Sequence, residues 1–363
     1  MNQEYLDSGE CFEKLDLDRV AESIALLPMQ MRQVLAEGKK LSFAGGMKGV
    51  KNIVIDAMGG SNLGARIIKS VFSDQLRAPI LIEAGYEVPA YVDKETLYIC
   101  SSYSGTTEEV LVTLNEIRKR KCVKVIMTAK NGEKRNPLIE LMENEKLNGY
   151  VFEPRHNPSG QPRLGLGYAV MGTLLLFIKS GLLRLPSREV EAAILRLESE
   201  SARYQPSLPA RRNPAKKIGL ELYKKIPVLV SGNFLEGNMH TLRNQFNENS
   251  KNYSSYLIVP DMNHYAMEGF EHPKSEHKQL HFIFFESGLE HPRVQKRLSL
   301  TKKLVVKSGI SHSSVKLKGS TRFEQSMETL QFGSWVSYYL AMLNRENPAS
   351  IKWVDWFKKE LDR

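Results

Sequence analysis

The sequence predicts an α/β protein of two units, each a mainly parallel sheet flanked by helices. Three observations carry this expectation. The 363 residues exceed one ordinary core, so two domains are expected. Short, nearly unbroken apolar runs alternate with helical patterns through the first half, as strands covered on both faces do. The alternation then restarts: VIDAMGGSNLGARI in the first half is answered by VLVSGNFLEGNMHTL in the second, each a strand, a small-residue turn and a helix.

Taken in order, residues 1–40 read as a helical segment with an apolar cluster from Ala21 to Met31. The first unit, 41–204, holds strand candidates NIVIDAM (52–58), PILIEAG (79–85), ETLYICS (95–101), VKVIMTA (123–129) and YVFEP (150–154). LGLGYAVMGTLLLFI, Leu164 to Ile178, is too short for a bilayer span and reads as a buried helix. QPSLPARRNPAKK, 205–217, collects three prolines and four basic residues, the composition of a linker or exposed crossover. The second unit, 218–363, offers IPVLVSG (226–232), SSYLIVPD (254–261), KQLHFIFFES (278–287), LTKKLVVKSG (300–309) and a weaker SSVKLKG (313–319) as strands. A long helical pattern from Phe323 to Leu343 follows, and the amphipathic SIKWVDWFKKELD closes the chain.

The N-terminus, MNQEYLDSGECFEKLDLDRV, is polar and acidic, unlike a signal peptide. Cys11, Cys100 and Cys122 are too few and scattered for a disulfide framework or zinc site, which fits a reducing cytoplasm. A formal charge of +10 is compatible with phosphorylated metabolites or nucleic acid, but also with an ordinary solvated surface. No helix-turn-helix, zinc-finger or aromatic-basic RNA signature accompanies it, and no membrane partner is expected.

Two strand-to-helix junctions are rich in small and hydroxylic residues. In AMGGSNLGARI, Gly59 and Gly60 permit positive φ and close backbone approach, and Ser61 could cap the helix or bond a ligand oxygen. In SSYSGTTEEV, Ser102, Ser104, Thr106 and Thr107 supply hydroxyls around Gly105. Such a junction is either an ordinary N-cap or an anion cradle, since both use the exposed N–H groups of a helix start. Neither matches the Walker or dinucleotide glycine patterns. Two such turns on one parallel sheet favour the cradle.

MGGSNLG, SYSGTTEE, PRLGLGY (162–168), NQFNENSK (244–251) and NHYAMEGF (263–270), in this order, resemble the sugar isomerase (SIS) domain family. Within it they most resemble the bifunctional phosphoglucose/phosphomannose isomerases, over about residues 45 to 360. The resemblance implies two flavodoxin-like SIS domains and a homodimer with active sites at its interface. It implies phosphate binding by Gly60, Ser61, Ser102, Ser104 and Thr107, and a phosphorylated hexose as substrate.

Aldose–ketose isomerisation needs a ring-opening group, a base to move a proton between C2 and C1, and a donor for the enediolate. Glu248 in NENSK is the candidate base, which burial could raise toward the working pH; Asn247, Asn249 and Ser250 could orient it. His264 titrates near neutrality and could serve the ring oxygen, or be a satisfied loop histidine. The resemblance favours the first and implies that His264 reaches a partner's site. Arg163 matches the family's enediolate-stabilising arginine, against the alternative of local pairing at a sheet edge. No metal or redox cofactor is required, and the spacing of His272, His277 and His281 fits no metal motif.

This chain departs from the family at Thr106 and Tyr265, where asparagines are common, and has no lysine between Lys318 and Lys352 to assist ring opening. The expected activity is therefore glucose 6-phosphate/fructose 6-phosphate isomerisation, extending to mannose 6-phosphate. Alternatives are an isomerase of another phosphosugar, or a non-catalytic sugar-phosphate-binding regulator, which would not require Glu248 and His264.

Overall fold

The β-branched apolar runs of the first half become five parallel strands. They are β1 (Asn52–Asp56), β2 (Ile80–Glu83), β3 (Thr96–Ser102), β4 (Val123–Ala129) and β5 (Asn148–Phe152), ordered β2-β1-β3-β4-β5. Every residue of the central β3 is buried, which is why ETLYICS shows no polar alternation. The second half gives β6 (Ile226–Gly232), β7 (Ser255–Val259), β8 (Leu280–Glu286) and β9 (Ser311–Lys316), ordered β7-β6-β8-β9 and also parallel. Both sheets start from the same doubly wound order, in which ligands bind outside the carboxyl ends of the strands where the winding reverses. In the first sheet that point lies between β1 and β3, where both hydroxyl-rich turns emerge.

These features come from a computed structural model that describes residues 2–41, 43, 49–130, 132, 135–361 and 363. The chain forms two compact units. One comprises Leu26–Leu195 with Phe234–Asn238; the other comprises the residues up to Ala25, Arg196–Asn233 and Met239–Arg363. The N-terminal helical segment is thus divided between them. The Leu27–Gly38 helix packs in the first unit, where buried Gln30 accepts from Gly167 N (2.9 Å) and donates to Leu164 O (3.0 Å).

Residues 205–217, expected to be a linker, are instead built into the second unit. Asn213 caps the Pro214–Leu222 helix by accepting from Ala215 N and Lys216 N. Lys216 is fully buried: its ammonium donates to Leu6 O and Pro206 O, both at 2.9 Å, and lies over the Phe12 ring. A buried cation tied to three chain segments fixes this stretch, whatever its proline content suggests.

The expected strand at 300–309 is also corrected. These residues continue the Pro292–Lys307 helix, which starts with His291 Nδ1 accepting from Arg293 N (3.2 Å). Leu298, Thr301 and Val305 are buried at helical spacing. The local LVV run mimicked a strand because only one turn of that stripe falls within it. The Leu166–Lys179 helix is deeply buried, as read, and the Arg322–Leu343 helix buries all but two of its side chains. Among the described residues no helix is long and apolar enough to cross a membrane.

Candidate active site

The two turns of the first unit are joined through Ser61. After β1 the chain makes one 3₁₀ turn, Gly59–Asn62, and enters the Leu63–Val71 helix. Ser61 does not cap that helix; its Oγ accepts the Tyr103 N–H at 2.9 Å, tying the first turn to the second. Gly60 is needed for a reason internal to the chain: a Cβ there would lie 2.9 Å from Arg163 N and from Pro162 Cβ. The close approach expected of a ligand is thus made at Gly60 by the 162–163 backbone, which carries Arg163 to the turn.

In the second turn, fully buried Ser102 is the hub. Its Oγ bonds Thr107 Oγ1 at 2.7 Å and Ser104 Oγ at 3.4 Å, and accepts Gly105 N–H at 3.0 Å. Gly105 has φ of 73° and no room for a Cβ, which would fall 2.0 Å from Asn136 Oδ1. Thr107 occupies the N-cap of the Glu108–Ile117 helix but makes no capping bond. A hydroxyl in the capping position that turns toward Ser102 leaves the helix start to its dipole and exposed amides. Ser104 and Thr106 are exposed and bonded to each other at 3.1 Å.

Arg163 is buried in a short turn, Pro162–Leu164, and donates to Gln161 Oε1 at 2.8 Å. The scaffold behind it went unnoticed in the sequence. Tyr103 OH accepts from Asn157 Nδ2 at 2.9 Å, and Asn157 also donates to Gln161 O at 2.9 Å. Burial pushes the Tyr103 phenol up to about 12, so it stays a neutral strut. The signal available was the HNPSGQPR run, whose Asn and Gln sit beside the recognised Arg163. A crevice of about 10 Å³, lined by Gly60, Ser61, Tyr103 and Pro162, separates the turns; it has the volume of about one water and no sugar fits it.

Beneath the cradle, Asp56 ends β1 fully buried, bonded to Tyr98 OH (3.2 Å) and to Thr113 Oγ1 of the helix that the second turn begins. Burial raises its pKa to about 7, opposed by the Thr113 and Tyr98 bonds and reinforced by Glu83 and Glu109. A carboxyl with a raised folded-state pKa stabilises most below its unfolded value near 3.8, and loses that contribution as pH rises to about 7. The full difference is on the order of 4 kcal/mol. Asp56→Asn, which keeps both partners without the charge, is expected to melt higher than the parent at pH 8 and to flatten the decline between pH 5 and 8, checked by thermal melts across pH. An unchanged pH profile would show that Asp56 does not titrate there.

In the second unit, Glu248 lies half-buried near the end of the Glu236–Ser250 helix. The polar neighbours expected to orient it have structural partners: Asn247 Oδ1 accepts from Ser254 N (3.0 Å), Asn249 donates to Ser337 Oγ (3.1 Å), and Ser250 donates to Phe246 O (2.5 Å). Lys251, at φ 51°, folds back so that its ammonium caps Glu248 O (2.9 Å) and Asn249 O (3.2 Å). These bonds fix the backbone that carries the carboxylate. His264 is exposed at the end of a 3₁₀ turn after β7, Asp261–His264, beside exposed Tyr265.

Two other histidines have structural roles. His277 bonds Ser308 O at 2.7 Å. His281 sits between Ser311 and Ser313 hydroxyls, where burial and the neighbouring Lys225 and His312 lower its pKa to about 4. Among the described residues no cluster of three potential ligands could hold a metal.

The structure therefore brings together Gly60, Ser61, Ser102, Ser104, Thr107 and Arg163 in one unit, while Glu248 and His264 belong to the other. Comparison with known proteins identifies the family. Residues 211–361 match the family described as bacterial phospho-glucose isomerase C-terminal SIS domain. A bifunctional phosphoglucose/phosphomannose isomerase of Caldicellulosiruptor bescii is 31% identical over 94% of this chain and 98% of its own length. One from Aquifex aeolicus is 30% identical over 86% of this chain and 91% of its own. Among solved structures, a hypothetical protein of Thermus thermophilus superposes with a TM-score of 0.74 at 16% identity, covering 98% of this chain and 94% of that one. A protein described as a putative phosphosugar isomerase of Clostridium difficile gives 0.71 at 13% identity, covering 94% and 97%. Those structural likenesses establish the fold alone; the sequence matches across nearly the whole chain establish that this protein belongs to the bifunctional phosphoglucose/phosphomannose isomerase family.

Proposed function

We propose that the protein interconverts glucose 6-phosphate and fructose 6-phosphate, and mannose 6-phosphate with fructose 6-phosphate, by proton transfer through a cis-enediolate. The observation that carries this reading is the hydroxyl-lined helix start at Ser102–Thr107, left without a side-chain cap, in a chain colinear with isomerases of these sugars. Gly60, Ser61, Ser102, Ser104 and Thr107 hold the phosphate. His264 exchanges a proton with the ring oxygen, Glu248 carries a proton between C2 and C1, and Arg163 stabilises the enediolate oxygen. Return of the proton to one or the other face of C2 yields the glucose or the mannose epimer.

With no lysine on the Arg322–Leu343 helix, ring opening falls to His264. Its exposure supports a homodimer in which it serves a partner's site. The protein acts in the cytoplasm, as a metabolic enzyme with unpaired cysteines.

The test is an assay of purified protein with fructose 6-phosphate, following glucose 6-phosphate and mannose 6-phosphate separately, with no metal added. Both products are expected; production of neither overturns the proposal.

A further inference from the structure

The second sheet stops one strand short of the first. Beyond β4 the first sheet carries β5, whereas among the described residues β9 pairs with β8 alone and is an open edge. Along that edge lies a cavity of about 400 Å³, within the size range of small-molecule sites. Its floor is apolar and aromatic, made by buried Tyr204, Ile218 and Phe332, and one wall is Ser313–Lys316 of β9 itself.

The charges around this cavity are unevenly engaged. Both carboxylates are occupied: Glu221 accepts from Ser313 Oγ, while Glu328 accepts Lys318 N–H (2.9 Å) and Gly319 N–H (3.0 Å) and pairs with Arg196. Arg203 is paired with Glu200. Lys217, Lys316 and Lys318 are exposed on the rim and make no ion pair or side-chain hydrogen bond among the described residues. Glu328 has a cationic partner whereas Glu221 keeps its charge, and Lys316 also acts on Glu286, itself paired with Lys302. The three rim lysines still outnumber the one uncompensated lining carboxylate, so the pocket presents net positive charge above an apolar floor.

We propose that this groove binds a small polyanionic metabolite, a phosphate ester or a polycarboxylate. The anion would meet the three ammonium groups, and its carbon portion would lie on Tyr204 and Phe332. None of the residues assigned to phosphate binding or proton transfer lines the cavity, so the site is separate from the proposed catalytic one and does not rest on that assignment.

The experiment is calorimetric titration of the full chain with inorganic pyrophosphate and, separately, with citrate, at low salt. It compares the parent with Lys217→Gln/Lys316→Gln/Lys318→Gln and with Ser314→Trp, which fills the groove without removing a charged residue, at the loss of the Ser314 bond to Glu286. Binding in the parent that weakens about a hundredfold in both variants supports the site, since two or more charge-assisted contacts are lost or blocked. Preference for pyrophosphate assigns a phosphate ester, and preference for citrate a polycarboxylate. Undiminished binding in both variants overturns the proposal. Loss in the lysine variant alone also overturns it, because it would mean diffuse attraction with nothing seated in the groove. All of the substituted residues are exposed, and circular dichroism confirms that each variant is folded.

Discussion

Glu248→Gln is expected to leave sugar-phosphate binding nearly intact and to lower kcat by about 10³- to 10⁴-fold, the range of a lost general base. The substitution is nearly isosteric and sits on a half-buried helix end whose backbone is held by Asn247, Asn249 and Lys251, so the fold should tolerate it. The residues proposed to hold the phosphate lie in the other unit and are untouched. The decisive measurement pairs turnover with binding of fructose 6-phosphate, and follows exchange of the substrate C1 proton with deuterated solvent. A base that carries the proton governs exchange and isomerisation together. A variant that turned over and exchanged normally would show that another group moves the proton.

Arg163→Gln is expected to produce the second-largest effect, about 10²- to 10³-fold in kcat with a smaller change in KM, as when a donor to a developing oxyanion is removed. Arg163 is buried, and its guanidinium holds Gln161 Oε1, so this variant should also melt lower than the parent. Arg163→Lys separates the two roles. It retains a positive charge at the proposed enediolate-stabilising position but not the planar fork, and should recover part of the activity while remaining destabilised. Equal kcat in parent and Arg163→Gln would assign the arginine to packing alone.

Much of the fold was legible because strands covered on both faces write unbroken apolar runs, and all but one of the proposed strands fall on observed ones. The failure at 300–309 has a plain cause. Leu304, Val305 and Val306 are consecutive and apolar, yet Val305 is buried, Leu304 packs at the core margin and Val306 is exposed, and the stripe becomes visible only when Leu298 and Thr301 are included. The stretch 205–217 misled through composition: three prolines look like an exposed tether, but what decides its packing is Lys216, whose partners at Leu6 and Pro206 are tertiary and invisible locally. At the cradle, the sequence supplied the hydroxyls but not their arrangement. That Thr107 turns to Ser102 instead of capping its helix depends on side-chain geometry, and so does the Tyr103–Asn157 strut behind Arg163.

The hydroxyl cluster centred on Ser102 has, under the proposed function, a consequence for release. Ser102 bonds both Ser104 and Thr107, so a phosphate arriving at the proposed cradle would exchange these bonds and add few to their number. Exchange of this kind yields little net free energy, leaving the charge of the helix start as the main attraction. A reversible isomerase gains nothing from gripping either sugar tightly, since binding that is equal in ground and transition states does not raise kcat. A handle held in this proposed way, firmly in position yet weakly in energy, would let the product of either direction depart.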